Sequence, residues 1–153
     1  MLHALTYSII THIKTHMSDV TNVIWMYDGV SLTNVSKPFS TVEQMPTNVE
    51  SLSAGHEDFE EIYRFQIGLH TRSVSERSKL TEKLTTVLRQ KNISFFDTSG
   101  SAPVSAGFFV CDVTGVTPIP VDDVADTTNQ HRVYFDVEVT VYRQNGDSIN
   151  FTQ

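Results

Sequence analysis

EIYRFQIGLHTRSVSERSKLTEKLTTVL, residues 61–88, decides the fold. In its first part Tyr63, Phe65, Ile67 and Leu69 alternate with Arg64, Gln66, Gly68 and His70. A period of two is the mark of a strand with one apolar face. The period then changes. Leu80, Leu84, Val87 and Leu88 recur at helical spacing and fall on one stripe. Ser73 stands three residues before Glu76, the spacing of a capping box at a helix start. Asn92 stands where a left-handed C-terminal cap would go. The stretch therefore predicts a long strand feeding a helix that packs back on its own sheet.

A second long strand is predicted over residues 132–143, where Val133, Phe135, Val137, Val139 and Val141 alternate with Tyr134, Asp136, Glu138, Thr140 and Tyr142. Its length and apolar face match residues 62–70, so the two are expected to pair antiparallel, with the leucine stripe laid over their shared face. Residues 2–17 fit an amphipathic helix through Leu2, Leu5, Ile9, Ile10, Ile13 and Met17, with His3, His12, Lys14 and His16 on its polar side. Together these segments predict one α+β domain. Its mixed, mostly antiparallel sheet carries the N-terminal helix and the central helix.

Shorter strands are read at residues 22–28, 38–44, 93–96 and 108–113. Pro38 opens the second of these, which places that strand near a sheet edge. Asp28-Gly29 and Asn145-Gly146 are turn signals. Long loops are expected at about residues 45–57, 97–107 and 114–130, and the short tail after Gly146 is read as a last strand or an arm.

The 153 residues suit one domain, long enough to bury roughly 68–70% of the unfolded chain's surface. A net charge of −7 argues against tight, sequence-independent nucleic-acid binding, which needs clustered Lys and Arg. It leaves room for a protein that surrounds DNA without gripping it. The one cysteine, Cys111, cannot close an internal disulfide, and its apolar flanks Phe109 and Val110 read as core. No signal peptide is recognisable in residues 2–17, and no apolar run nears the ~20 residues that span a bilayer. A soluble protein made in the cytoplasm is expected.

No GxSxG, glycine-rich phosphate loop, CxxC or HExxH occurs. His12 and His16 share a helix face at metal-binding spacing but lack a third ligand nearby, so they are read as solvated. The acidic run 57–61 lacks the interleaved glycine turn of a calcium loop. No cofactor or metal is expected. His70 and His131 stand at the ends of the two long strands. Antiparallel pairing would make them neighbours, and with Asp136 they form the candidate acid–base cluster of an alternative reading, a small ligand-binding or enzymatic domain. Arg64 on the strand's polar face, Arg72 at the strand–helix corner and Arg77 in the first helical turn are the notable cations. A cation in a helix's first turn opposes the macrodipole, which points Arg77 toward an acidic partner in its own chain or an adjacent subunit.

The helix over residues 2–17, the segment PFSTVEQ at 38–44, the strand 63–70 running into RSVSER at 72–77, and the late strand RVYFDV at 132–137 form a pattern. It resembles the small tail-terminator and tail-completion (head-to-tail joining) proteins of long-tailed bacteriophages, over about residues 2–143. The resemblance implies an α+β fold and a non-enzymatic virion protein. It implies a homohexameric ring at the head-proximal end of the tail tube that ends tube polymerisation. Its partners would be the major tail tube protein and the head-completion or connector protein, with genomic DNA passing through the lumen and no membrane involved. The chain would be assembled in the host cytoplasm. Arg64, Arg72, Arg77, Asp122, Asp123 and Asp126 are then the candidate subunit or partner contacts, the three aspartates lying in the acidic connection 114–129.

Overall fold

A computed structural model describes residues 1–119, 130–145 and 148–151. The two long strands, β4 (Phe59–His70) and β8 (Arg132–Gln144), pair antiparallel along their whole length, from Phe59 opposite Arg143 to His70 opposite Arg132. Each has its outer edge shared by two short strands. β2 (Phe39–Gln44) and β3 (Asn48–Ser51) flank β4, and β7 (Asp112–Pro118) and β9 (Ser148–Phe151) flank β8. β1 (Val23–Met26) adds to β2 in parallel, so the seven-stranded sheet is mixed. A separate two-stranded sheet joins β5 (Ile93–Asp97) to β6 (Val104–Phe109).

Because register and alternation agree, one face of the large sheet is apolar throughout. Phe65, Ile67 and Leu69 of β4 meet Val137, Phe135 and Val133 of β8, none more than 1% exposed. Helix α1 (Leu2–His16) covers this face with Leu5, Ile9 and Ile13, and helix α2 (Val74–Leu88) with Leu80, Leu84, Val87 and Leu88. Burying each such side chain contributes about 1.5–3 kcal/mol. Phe95 and Phe109 of the small sheet close the same core against Phe151 of β9, with ring centroids 5.0 and 6.0 Å from that ring. The architecture is the single α+β domain that the sequence predicts. Among the described residues, no helix is long and apolar enough to cross a membrane.

Several local expectations are corrected. The segment 45–57 contains β3, a strand with all four residues exposed, held by its pairing to β4. β2 is not an edge, since β1 covers its far side; Pro38 precedes the ladder and removes no bond from it. The strand read at 108–113 is two strands in two sheets. β6 begins at Val104, within the loop read at 97–107, and β7 runs to Pro118, within that read at 114–130. The chain crosses between the sheets at Val110 and Cys111. Cys111 is buried there, as its flanks suggest, and desolvation pushes its thiol pKa up. The tail does form a last strand, β9.

Ser73 caps α2 by accepting from the Glu76 amide at 3.2 Å. The return bond differs from a capping box: Glu76 Oε1 accepts from the Arg72 backbone N–H at 2.9 Å, not from that of Ser73. At the other end α2 stops at Leu88 with Arg89 as cap (φ −86°), so Asn92 does not supply a left-handed cap.

The polar side of α1 is also narrower than its sequence suggests. His3, Lys14 and His16 are exposed, but His12 is 7% exposed and lies between the helices. Its Nε2–H donates to the Val87 carbonyl at 2.9 Å, satisfying both a buried ring and a carbonyl in the last turn of α2. Burial lowers the His12 pKa, the Val87 bond works against this, and the nearby His16 adds to the lowering. The unfolded chain therefore takes up this proton at a higher pH than the folded one. The contribution is fully present above the ordinary value of about 6.5 and is lost as pH falls through the depressed folded value. Urea midpoints measured between pH 7.5 and 5 are expected to fall, and His12→Gln to flatten that slope. Equal slopes in the two proteins would assign the acid sensitivity elsewhere.

Candidate functional site

Alternation places the odd-numbered residues of β4 against the core and turns Glu60, Arg64, Gln66, Gly68 and His70 to the opposite face. Pairing brings Glu50 of β3, Glu43 of β2, Asp136 and Glu138 of β8 and Asp112 of β7 to that same side. No helix of the described residues lies there. The face divides into two regions of different chemistry.

Near the end of β4 it is closed. Phe39 and His70, directly opposite each other, stack at 4.5 Å with their planes 6° apart, at 0% and 1% exposure. Tyr134 stands edge-on to His70 at 6.4 Å, with the Arg132 guanidinium 5.8 Å from the Tyr134 ring centroid. The Thr71 amide and hydroxyl both donate to the His131 carbonyl, at 3.2 and 2.6 Å. His70 and His131 are thus neighbours along the chain path, as antiparallel pairing predicts. Asp136 does not join them. It sits opposite Gln66, four register positions from the His70–Arg132 pair, roughly 13 Å at the strand rise. The three residues named for acid–base chemistry are not gathered. His70 is committed to a packed aromatic stack.

Toward the other end the face is open. Arg64 and Glu138 are directly opposite and form an ion pair, Nε to Oε1 2.8 Å, with about a third of each side chain exposed. At that exposure such a pair contributes only ~0–1 kcal/mol. Beside it is a hollow of about 420 Å³ lined by Met45, Pro46, Thr114, Asp136 and the Arg64–Glu138 pair. Six carboxylates, those of Glu43, Glu50, Glu60, Asp112, Asp136 and Glu138, share this side with two guanidiniums, of Arg64 and Arg132. Glu50 stands directly across from Glu60, an arrangement that is unfavourable for like charges.

The other candidate cations are engaged within the chain. Arg72 pairs with Glu76 at 2.8 Å, which raises the Arg72 pKa and lowers that of Glu76 through the hydrogen-bonded contact. Arg77 donates to the Ile119 carbonyl, a backbone oxygen past β7, at 3.3 Å. Asp122, Asp123 and Asp126 lie outside the described residues. A second ion pair that the sequence reading passed over, Arg143 Nε to Glu61 Oε1 at 2.8 Å, links the outer ends of β8 and β4 on the core side, and Tyr63 donates to Glu61 Oε2 at 2.5 Å. Its signal was the diagonal placement that antiparallel register implies for residues 61 and 143.

A cleft of about 800 Å³ lies between the β6 edge and β9, with Phe108 and Ile149 exposed at its rim and Phe109 and Phe151 at its floor. No family model matches this chain, and no curated protein matches its sequence.

Proposed function

We propose that this chain is a structural virion protein of the tail-terminator or tail-completion kind. It acts as a ring, a homohexamer by the resemblance, at the head-proximal end of a long-tailed phage's tail tube. There it ends tube polymerisation and offers a docking surface to the head connector while DNA passes through the lumen. The sequence pattern over residues 2–143 supports this reading. The observation that carries it is a sheet with both helices on one side and an open, carboxylate-rich face on the other. A subunit of a closed ring needs two different surfaces, one for each neighbour, and a two-sided domain has them. The net charge of −7 suits a ring around DNA, since a negative wall repels phosphates and lets the duplex slide. The tube protein and the connector protein are the other partners in this reading, and the virion tail is the place of action.

Light scattering of the purified protein across concentration tests it, with and without tail tubes assembled from a major tail tube protein. A closed hexamer, or a monomer that becomes one on tube ends and halts their growth, is the expected result. A monomer that ignores tubes and leaves their length distribution unchanged would remove the reading.

A further inference from the structure

The charges of this protein are unevenly shared between its faces. Residues 38–63 contain six carboxylates and no Lys or Arg, while residues 72–91 contain six of the eleven Lys and Arg and two Glu. Strand pairing sends part of the acidic set to one side, while Glu61 stays on the core side with Arg143. Glu43, Glu50, Glu60 and Asp136 stand on the helix-free side. Helix α2 gives its leucine stripe to the opposite side, so Lys79, Lys83 and Arg89 are exposed on the outer surface of the helix layer, where Glu82 is the one exposed carboxylate of the helix. Lys83 is paired with Asp19; Lys79 and Arg89 have no ion pair among the described residues. An excess of carboxylates thus lies on one outer surface of the domain and an excess of cations on the outer face of α2, with the apolar core between them. Layers packed about 10 Å apart keep them from meeting within a single copy.

We propose that the outer face of α2 on one copy docks on the open carboxylate face of the next. A cation of α2 enters the hollow beside Asp136, and a second relieves the Glu50–Glu60 opposition. This rests on the ring reading and names its subunit contact. The occupant is a second copy because the complementary surface is present in the same chain and faces the other way. The contact is heterologous, so each copy uses both surfaces once and the assembly closes as a ring when the rotation allows. Electrostatic contacts of this kind weaken as salt is raised.

The test uses the full chain and two charge-reversed variants, with circular dichroism as the fold check. Variant one carries Glu60→Lys and Asp136→Lys; variant two carries Lys79→Glu and Arg89→Glu. Asp136, Lys79 and Arg89 are exposed and Glu60 is half-buried, and none of the four belongs to an ion pair among the described residues. Each variant alone is expected to need at least about tenfold more protein for half-assembly, since the reversed contacts are worth more than ~1.4 kcal/mol. Mixed one to one they are expected to regain assembly, because the cationic sheet face of one then meets the anionic helix face of the other. Association of both variants at the wild-type concentration would overturn this contact and leave the ring reading standing. So would a mixture no better than its parts. Loss of duplex DNA binding by variant two, with its self-association unchanged, would reassign the α2 cations to nucleic acid. Monomeric wild type together with a monomeric mixture, tail tubes present or not, would remove both readings.

Discussion

Phe135→Ala is expected to destabilise the protein by about 3–5 kcal/mol, the cost of deleting a fully buried aromatic ring and leaving a cavity. Phe135 is 0% exposed at the middle of β8, opposite Ile67 of β4 on one side and Val116 of β7 on the other. Its neighbours are held in ladders on both sides, so the site cannot collapse to fill the void. Set against a typical total of about 5–15 kcal/mol, the loss is a large share. Urea denaturation should show a lower midpoint at an unchanged slope. The control is the same substitution at Phe108, which is 59% exposed on β6 and should move stability by no more than ~0.5 kcal/mol. A Phe135→Ala protein that lost less than Phe108→Ala would place the core on the other face of the sheet.

Gly68→Ala is expected to destabilise by about 1–3 kcal/mol, although glycine is a poor strand residue. Two effects compete. Replacing a glycine inside a strand ordinarily gains ~0.5–1 kcal/mol from a stiffer unfolded chain. Here the added Cβ would run into Thr41 Oγ1, with Tyr134 Cε1 at 3.2 Å and His70 Nε2 at 3.3 Å from the same point. These belong to the closed end of the helix-free face, where Thr41, the nearest, is 4% and His70 1% exposed, so neither of the two can move aside without disturbing the packing around the Phe39–His70 stack. Overpacking wins on magnitude. The mechanism is checked by combining Gly68→Ala with Thr41→Ala, which removes the nearest atom. The double variant should lose less than the sum of the singles by at least ~0.5 kcal/mol. Strict additivity would show that space at Gly68 is not what limits the site.

Gly68 also shows how the site divides between what is local and what is not. The sequence puts it on the polar side of a strand among Arg64, Gln66 and His70, and that placement holds. Nothing within ten residues says that Thr41 and Tyr134 press on it, because both arrive through strand pairing. The same holds for His12, whose helical position lies beside the apolar stripe of α1 but whose burial depends on the carbonyl of Val87, seventy-five residues later. The bond from Arg77 to the carbonyl of Ile119 is likewise set by tertiary structure, because β7 ends beside the first turn of α2.

By itself the sequence determined the elements whose own periodicity carries the information. These are α1, α2, the faces of β4 and β8, the turn at Asp28-Gly29, and the antiparallel match of two strands that each have an apolar side. Each is set by spacing along a few turns or a few residues, which is a local quantity. The tertiary structure alone decided the rest. β3 has no apolar residue to declare it except Val49, and it exists because the long β4 extends past β2 and offers its backbone donors and acceptors there. β6 and β7 look like one strand until two different sheets claim them. Asp136 and His70 share a face but stand four register positions apart, a distance that only pairing defines. The excess of carboxylates on one surface and of lysines and arginine on the outer face of α2 needed both levels. Alternation assigns each charge a side of its own element, and packing of α2 on the apolar side then sends its cations away from the carboxylates.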